Sequence, residues 1–235
     1  MPKIRIITIA QQYGSNGDQI AASLASRLQW PLFDREVVRQ VAQQLNITED
    51  EAAIHDEHTF SFFERVLLTM QFCTSEAVEA WANQFAMPIS PARQENLYYQ
   101  ALQQVIDAIV CEGNSIIVGH GAQGLLANRS DTMHVQITAP FAQRVDEITR
   151  LNQLHKAEAY ACLQQKDQGV ARYFQVRYQR DINDPALYDL VLNSATSSLE
   201  DQVDLIMLSL ERKNSALAAP ESYDQPQKQL METPS

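Results

Sequence analysis

The residues with the clearest chemical potential lie in "AQQYGSNGDQIA", Ala10 to Ala21, which follows the apolar run "IRIITI". Gly14, Ser15, Asn16 and Gly17 form a short glycine-bearing turn between a strand pattern and a helix pattern. Such a turn can hold a phosphate. Its backbone N–H groups face the anion, and the dipole of the following helix favours negative charge there. No lysine closes the turn; Asp18 follows it instead. The alternative is an ordinary tight turn that caps a helix. A second glycine group, "GHGAQG", carries Gly119, Gly121 and Gly124. With only seven glycines in the chain, this grouping is informative. Both groups follow apolar runs that read as strands. In open parallel sheets ligands bind beyond the carboxyl ends of strands, so the two groups together favour a site.

Charge points the same way. The formal net charge is −11, which argues against a general nucleic-acid or anionic-membrane surface. Yet the stretch 144–180 is locally basic, with Arg144, Arg150, Lys156, Lys166, Arg172, Arg177 and Arg180. A basic segment there could close over a polyphosphate, its arginines stabilising charge on a transferring phosphoryl group. The alternative is a solvated helix face. "HDEH" places His55 and His58 at metal-ligand spacing, but it specifies no third ligand and sits in acidic surroundings. It reads as a solvated helix, and no metal site is expected.

These residues need elements to position them. Ile4 to Ile9 reads as a buried strand, "GDQIAASLASRL" as a helix, and "WPLFD" as a short second strand ending at Asp34. From Glu36 to Glu112 the pattern is mainly helical and ends in a helix closed by Gly113. "SIIVG", "TMHVQIT" and "YDLVLNS" read as the third, fourth and fifth strands. "PFAQRVDEITRLNQL" reads as a helix with proline in its first turn. Ser197 and Glu200 have capping-box spacing and open a last helix to about Arg212. The alternation predicts a parallel sheet with helices on both faces. The stretch 214–235 reads as a disordered tail. Cys73, Cys111 and Cys162 form no C-x-x-C pair, so a reduced, cytoplasmic protein is expected. No signal peptide is read at the N-terminus, and no stretch approaches the ~18 apolar residues of a membrane helix.

Four blocks, in order, resemble the cytidylate kinase-like family. "ITIAQQYGSNGDQIA" is similar to the family's "ITISRQYGSGGREIA", "PLFDREVV" to "PFYDREII", and "SIIVGHGA" to "VIVGRGAD". "ARYFQVRYQRDINDPALYDLVLNS" is similar to "ARYYKYYTGKDWGDPSNYDLVINS". The resemblance covers most of Lys3 to Glu211. It implies a three-layer αβα P-loop NTPase-like domain over 1–213 with a five-stranded parallel sheet. It further implies a helical monophosphate-binding insertion at about 36–112 and a lid at about 155–181. The implied reaction passes a phosphoryl group from ATP, with Mg²⁺, to a nucleoside monophosphate, CMP or dCMP first.

On this resemblance Gly14, Ser15, Asn16 and Gly17 would wrap the ATP phosphates, with the Ser15 hydroxyl as a further donor. Asp34, Arg35, Arg39, Gly119, His120 and Gly121 would serve the monophosphate. For Asp34 a helix N-cap is the equal alternative. Arg172 and Arg177 would be the catalytic lid arginines, with Asp167 pairing Arg172 when the lid is open. The partners implied are nucleotides, with neither nucleic acid nor membrane, and a homodimer through the apolar 60–87 region is an option. The chain also departs from the pattern. Gln11 and Asp18 stand where the family has arginine, Asn16 where it has glycine, His120 where it has arginine, and Gln123 where it has aspartate. Across 36–112 there are twelve acids and three arginines, a poor field for an anion unless Arg39 and Arg93 face the cleft.

Overall fold

The computed structural model describes residues 3–53 and 91–218, with 91–95 described by backbone alone. The "HDEH" stretch, the 60–87 region, the side chain of Arg93 and the chain beyond Ala218 lie outside the described residues. The core is a parallel sheet ordered β2 (Leu32–Phe33), β3 (Ser115–Val118), β1 (Ile6–Gln11), β4 (Thr132–Thr138), β5 (Leu190–Asn193). The five predicted strands are all present and all parallel. β1 is central, with Ile9 level with Val118 on one side and Val135 on the other.

Side chains alternate across the sheet, as the strand repeat of two requires. Ile7, Ile9, Ile116, Val118, Val135 and Ile137 pack under α1 (Gly17–Leu28) and α8 (Leu199–Ala218). Ile6 and Ile117 pack under α2 (Arg35–Leu45) and α4 (Pro91–Glu112), meeting Val37, Val41, Leu102 and Ile106. Helices on both faces explain why these strands read as unbroken apolar runs. Short α3 (Glu49–Ala53) follows α2, and α5 (Ala122–Leu125) follows β3. After β4 come α6 (Phe141–Asn152) and the 23-residue α7 (Lys156–Tyr178). These two form a small core of their own from Val145, Ile148, Ala159 and Leu163. Tyr13 of the β1–α1 loop packs into it.

Two expectations shift at the C-terminus. The cap of α8 is Ser198 with Asp201, one residue later than Ser197 with Glu200. Ser198 Oγ accepts from the Asp201 N–H at 3.2 Å, and the Asp201 carboxylate accepts from the Ser198 hydroxyl at 2.6 Å. The Ser197 carbonyl is instead taken by the buried Gln202 side chain at 2.8 Å. The helix also runs past Arg212 to Ala218, so 214–218 is helix rather than tail. Its last turns are anchored. Lys213 Nζ donates to Asp189 at 2.6 Å and to the Thr132 carbonyl at 2.9 Å, and Asn214 accepts from Ile4 N–H at 2.7 Å.

His134 sits beside that anchor. Its ring Nδ1 lies 2.7 Å from Thr8 Oγ1, and its backbone N–H donates to Asp189 at 2.7 Å. Burial holds its pKa below the ordinary value, helped by Lys213 and opposed by Asp189 and the Leu126 carbonyl. The unfolded chain therefore takes up a proton near pH 6.5 that the folded chain still resists. Stability from this group is intact above that value and lost as pH falls below it. Urea unfolding at about pH 7.5 and about pH 5.5 should show the wild type losing more stability than His134→Gln. Equal losses would contradict the buried neutral ring.

Candidate functional site

β1 delivers the chain to the turn at the carboxyl edge of the sheet. Ser15 N–H closes the turn on the Gln12 carbonyl at 3.0 Å. Gly14 has φ 81°, and a Cβ there would lie 3.1 Å from both the Arg144 carbonyl oxygen and Ile148. Glycine is thus needed for the backbone angle and for the close approach of α6. Asn16 takes the left-handed N-cap conformation with φ 59°. Asparagine tolerates that region where most residues do not, so the turn survives without the family's glycine. Among the described residues, the N–H groups of Gly14, Asn16, Gly17 and Asp18 have no protein acceptor. Four unengaged donors at a helix start are a fitting cradle for phosphate oxygens.

Two details of the turn differ from the expectation. Ser15 is 1% exposed and its hydroxyl lies 3.5 Å from the Ile137 carbonyl oxygen, so it faces β4 rather than the cradle. The two lost arginines are also linked. The Gln11 side chain lies across Gly17 and its amide donates to the Asp18 carboxylate. A neutral residue and an acid therefore share the rim where the family has two cations. Asp18, in the first turn of α1, occupies the dipole that a phosphate would use.

The loop is gripped from α6 and α7, and Tyr13 is where they hold it. Arg144 Nη1 donates to the Tyr13 carbonyl at 3.3 Å. The same guanidinium makes a two-pronged pair with Asp167, at 2.9 and 2.7 Å. Asn152 donates to the Tyr13 hydroxyl at 3.1 Å. Lys166 Nζ stands 3.7 Å from the centre of the Tyr13 ring. Arg144 is 3% exposed, and a buried guanidinium is stable only when paired. Asp167 was expected to pair with Arg172. Residues five apart on a helix point about 140° away from each other, and the carboxylate goes to Arg144 instead. Arg144 was not singled out from the basic run. A signal existed: Phe141, Arg144, Val145 and Ile148 follow the spacing of one buried helix stripe.

The residues expected to serve a monophosphate are more engaged with the protein than expected. His120, 1% exposed, lies with Nε2 2.9 Å from the Asp34 backbone carbonyl and 3.9 Å from its carboxylate. It ties the end of β3 to the end of β2 rather than facing an anion. Asp34 holds the N-cap position of α2, yet its side chain makes no capping bond. Gly119, His120 and Gly121 are all left-handed, at φ 72°, 60° and 65°. At Gly121 and Gly124 a Cβ would run into the side chain of Tyr178 at the end of α7. The second glycine group is thus a seat for an aromatic ring, which also packs on Phe174 at 4.6 Å. Arg39 is tied to Glu36 at 2.5 Å and Glu49 at 3.2 Å, so its charge is spent within its own helices. Arg35 is exposed. Arg177 stacks on Tyr99 at 4.9 Å and reaches Asn96 at 3.4 Å, both on α4. Arg172 is exposed and forms no ion pair among the described residues. Also among the described residues, no group of three or more His, Cys, Asp or Glu is placed to hold a metal, and no helix is long and apolar enough to cross a membrane.

The Arg144–Asp167 pair yields a direct test. Asp167→Asn leaves a buried guanidinium without its counter-charge and should cost about 2 kcal/mol in urea unfolding. A loss within about 0.5 kcal/mol, as for an ordinary surface substitution, would contradict the pairing.

The geometry agrees with what the chain is similar to. The model of the cytidylate kinase-like family matches residues 6–196. An uncharacterised protein from Eubacterium ventriosum ATCC 27560 superposes with a TM-score of 0.62 at 17% identity, covering 89% of this chain and 99% of that one. A gluconokinase from Sinorhizobium meliloti 1021 superposes at 0.51 and 9% identity, covering 92% and 96%. No curated protein matches the sequence. The two superpositions establish the fold, a five-stranded parallel sheet of the P-loop NTPase-like kind, and the family match extends over most of the chain. The chain therefore belongs to the cytidylate kinase-like family.

Proposed function

We propose that the protein transfers the terminal phosphoryl group of ATP to a nucleoside monophosphate, with CMP or dCMP as first acceptor. The observation that carries this reading is the loop from Gly14 to Asp18, with four unengaged backbone donors at the start of α1. Those donors suit the ATP phosphates, and the helix start adds its positive end. Mg²⁺ bound with the nucleotide would supply further charge neutralisation. Asp34, at the carboxyl end of β2, would orient the acceptor or a magnesium-bound water. Arg35 and Arg177 would meet the acceptor phosphate. The stretches at about 36–112 and 155–181 would serve as acceptor domain and lid. The protein's part in such a transfer is positioning and charge stabilisation.

A second reading is a nucleotide-binding relative with little or no turnover. The Gln11–Asp18 bond favours it, because it puts an acid where transferring charge needs a cation. One pair of experiments separates the two. Calorimetric titration with ATP and Mg²⁺ should show binding, and a coupled assay should show turnover with CMP or dCMP above UMP and AMP. Binding without turnover on any acceptor would select the second reading. Absence of binding would sink both. Asp18 is open to a further check. Asp18→Asn removes its competition for the helix dipole and should tighten ATP binding by about two- to fivefold. Unchanged or weaker binding would place the phosphates elsewhere.

A further inference from the structure

We infer that a small cavity at the amino end of β4 and β5 binds an oxyanion of the phosphate or sulfate class. It lies at the opposite edge of the sheet from the loop of Gly14 to Asp18, and it does not depend on the nucleotide reading. β4 has seven residues, so about 20 Å of strand rise separates the two edges. The cavity holds about 180 Å³, and its lining includes Arg129, Thr132, His134, Asp189 and Lys213. Pockets for drug-sized ligands begin at about 300 Å³, so this space suits an ion rather than a nucleotide. The Lys213 and Asp189 side chains are 27% and 28% exposed, which leaves the cavity open to solvent.

What the lining groups have left to offer identifies the ligand. Their acceptors are engaged. Asp189 Oδ1 accepts from Lys213 at 2.6 Å, and Oδ2 from the His134 N–H at 2.7 Å. The Thr132 carbonyl accepts from Lys213 at 2.9 Å. Asp131 gives both carboxylate oxygens to Arg129, at 3.0 and 2.8 Å. Donors remain. An ammonium has three N–H groups, and Lys213 uses two. Arg129 Nη1 makes no bond among the described residues. Thr132 is 0% exposed and its hydroxyl has no partner. His134 is 7% exposed, and its Nε2 has no partner at hydrogen-bond geometry. The Leu126 carbonyl favours a proton on that ring, and Nδ1 takes the Thr8 hydroxyl, so Nε2 is a donor. A buried polar group without a partner costs about 1–3 kcal/mol. Charge alone does not select the ligand, since Asp131 and Asp189 balance Arg129 and Lys213. The surplus of donors does, and it calls for an acceptor that carries negative charge.

The test is a titration of the full chain with inorganic phosphate, followed through the ring C–H resonances of His134 by NMR. The pH and ionic strength are held constant, with chloride as the balancing salt. His134→Gln assigns the resonance among the five histidines. Phosphate at the β1–α1 loop is too distant to touch this ring, so the reporter separates the two sites. A saturable shift is expected. Thr132→Val removes only the unpartnered hydroxyl and should weaken phosphate by about 5- to 30-fold. Arg129→Gln should weaken it by about three- to tenfold. Arg150→Gln, on an exposed pair with Glu147, should shift it by less than about twofold. If Thr132→Val does not fold, Arg129→Gln decides by the same criterion. A His134 resonance that does not move, or moves without saturating, overturns the inference. So does a saturable shift whose affinity is unchanged in the folded variants at Thr132 and Arg129.

Discussion

A guanidinium stays charged at any ordinary pH, and Arg144 is buried. The carboxylate of Asp167 is what makes that position tolerable, through two parallel hydrogen bonds of 2.9 and 2.7 Å. Much else follows from this pair. It docks α7 on α6. It leaves one guanidinium donor for the Tyr13 carbonyl, which sets the height of the loop. The backbone of α6 at Arg144 comes close enough to Gly14 that a Cβ there would lie 3.1 Å from its carbonyl oxygen. It also fixes the rotation of α7, and so which of its cations faces the loop.

α7 then acts as a beam across the site. From Lys166 to Tyr178 is about 18 Å of helix rise. One end stands on Tyr13, at the start of the cradle, and the other seats Tyr178 on Gly121 and Gly124. The scarce glycines are placed to match. In the first loop Gly14 admits a left-handed turn and the backbone of α6, and Gly17 admits the Gln11 side chain. Those after β3 admit an aromatic ring from α7. The charge budget follows the same beam. The chain is strongly acidic, and its rim residues Gln11 and Asp18 carry no cation. Arg144, Lys166 and Arg177 come from α6 and α7, and Arg35 from the start of α2.

Most of the fold could be read from the sequence because its signals are local. β-Branched runs marked the strands, and Ile20 and Leu24 marked the buried face of α1, whose predicted bounds coincide with the observed helix. The turn at the head of α1 was also legible, since a glycine turn after the central strand is a contiguous pattern. What could not be read depends on residues distant in sequence. Asp167 chose Arg144 over the nearer Arg172, because helix geometry turns the nearer residue away. His120 looked like a ligand between two glycines, but β2 ends within reach of its ring. The glycines around it read as part of a ligand site, and Tyr178, more than fifty residues downstream, packs on Gly121 and Gly124. At the C-terminus, Asn214 looked like the start of a polar tail, yet it continues the last helix and accepts from the Ile4 N–H, beside the bond from Lys213 to the Thr132 carbonyl.

The central claim is that the β1–α1 loop cradles phosphate through its backbone. A crystal structure with ATP and Mg²⁺ bound tests this most directly. The account predicts phosphate oxygens within hydrogen-bond reach of the N–H groups of Gly14, Asn16 and Gly17. Phosphates bound away from this loop would contradict it.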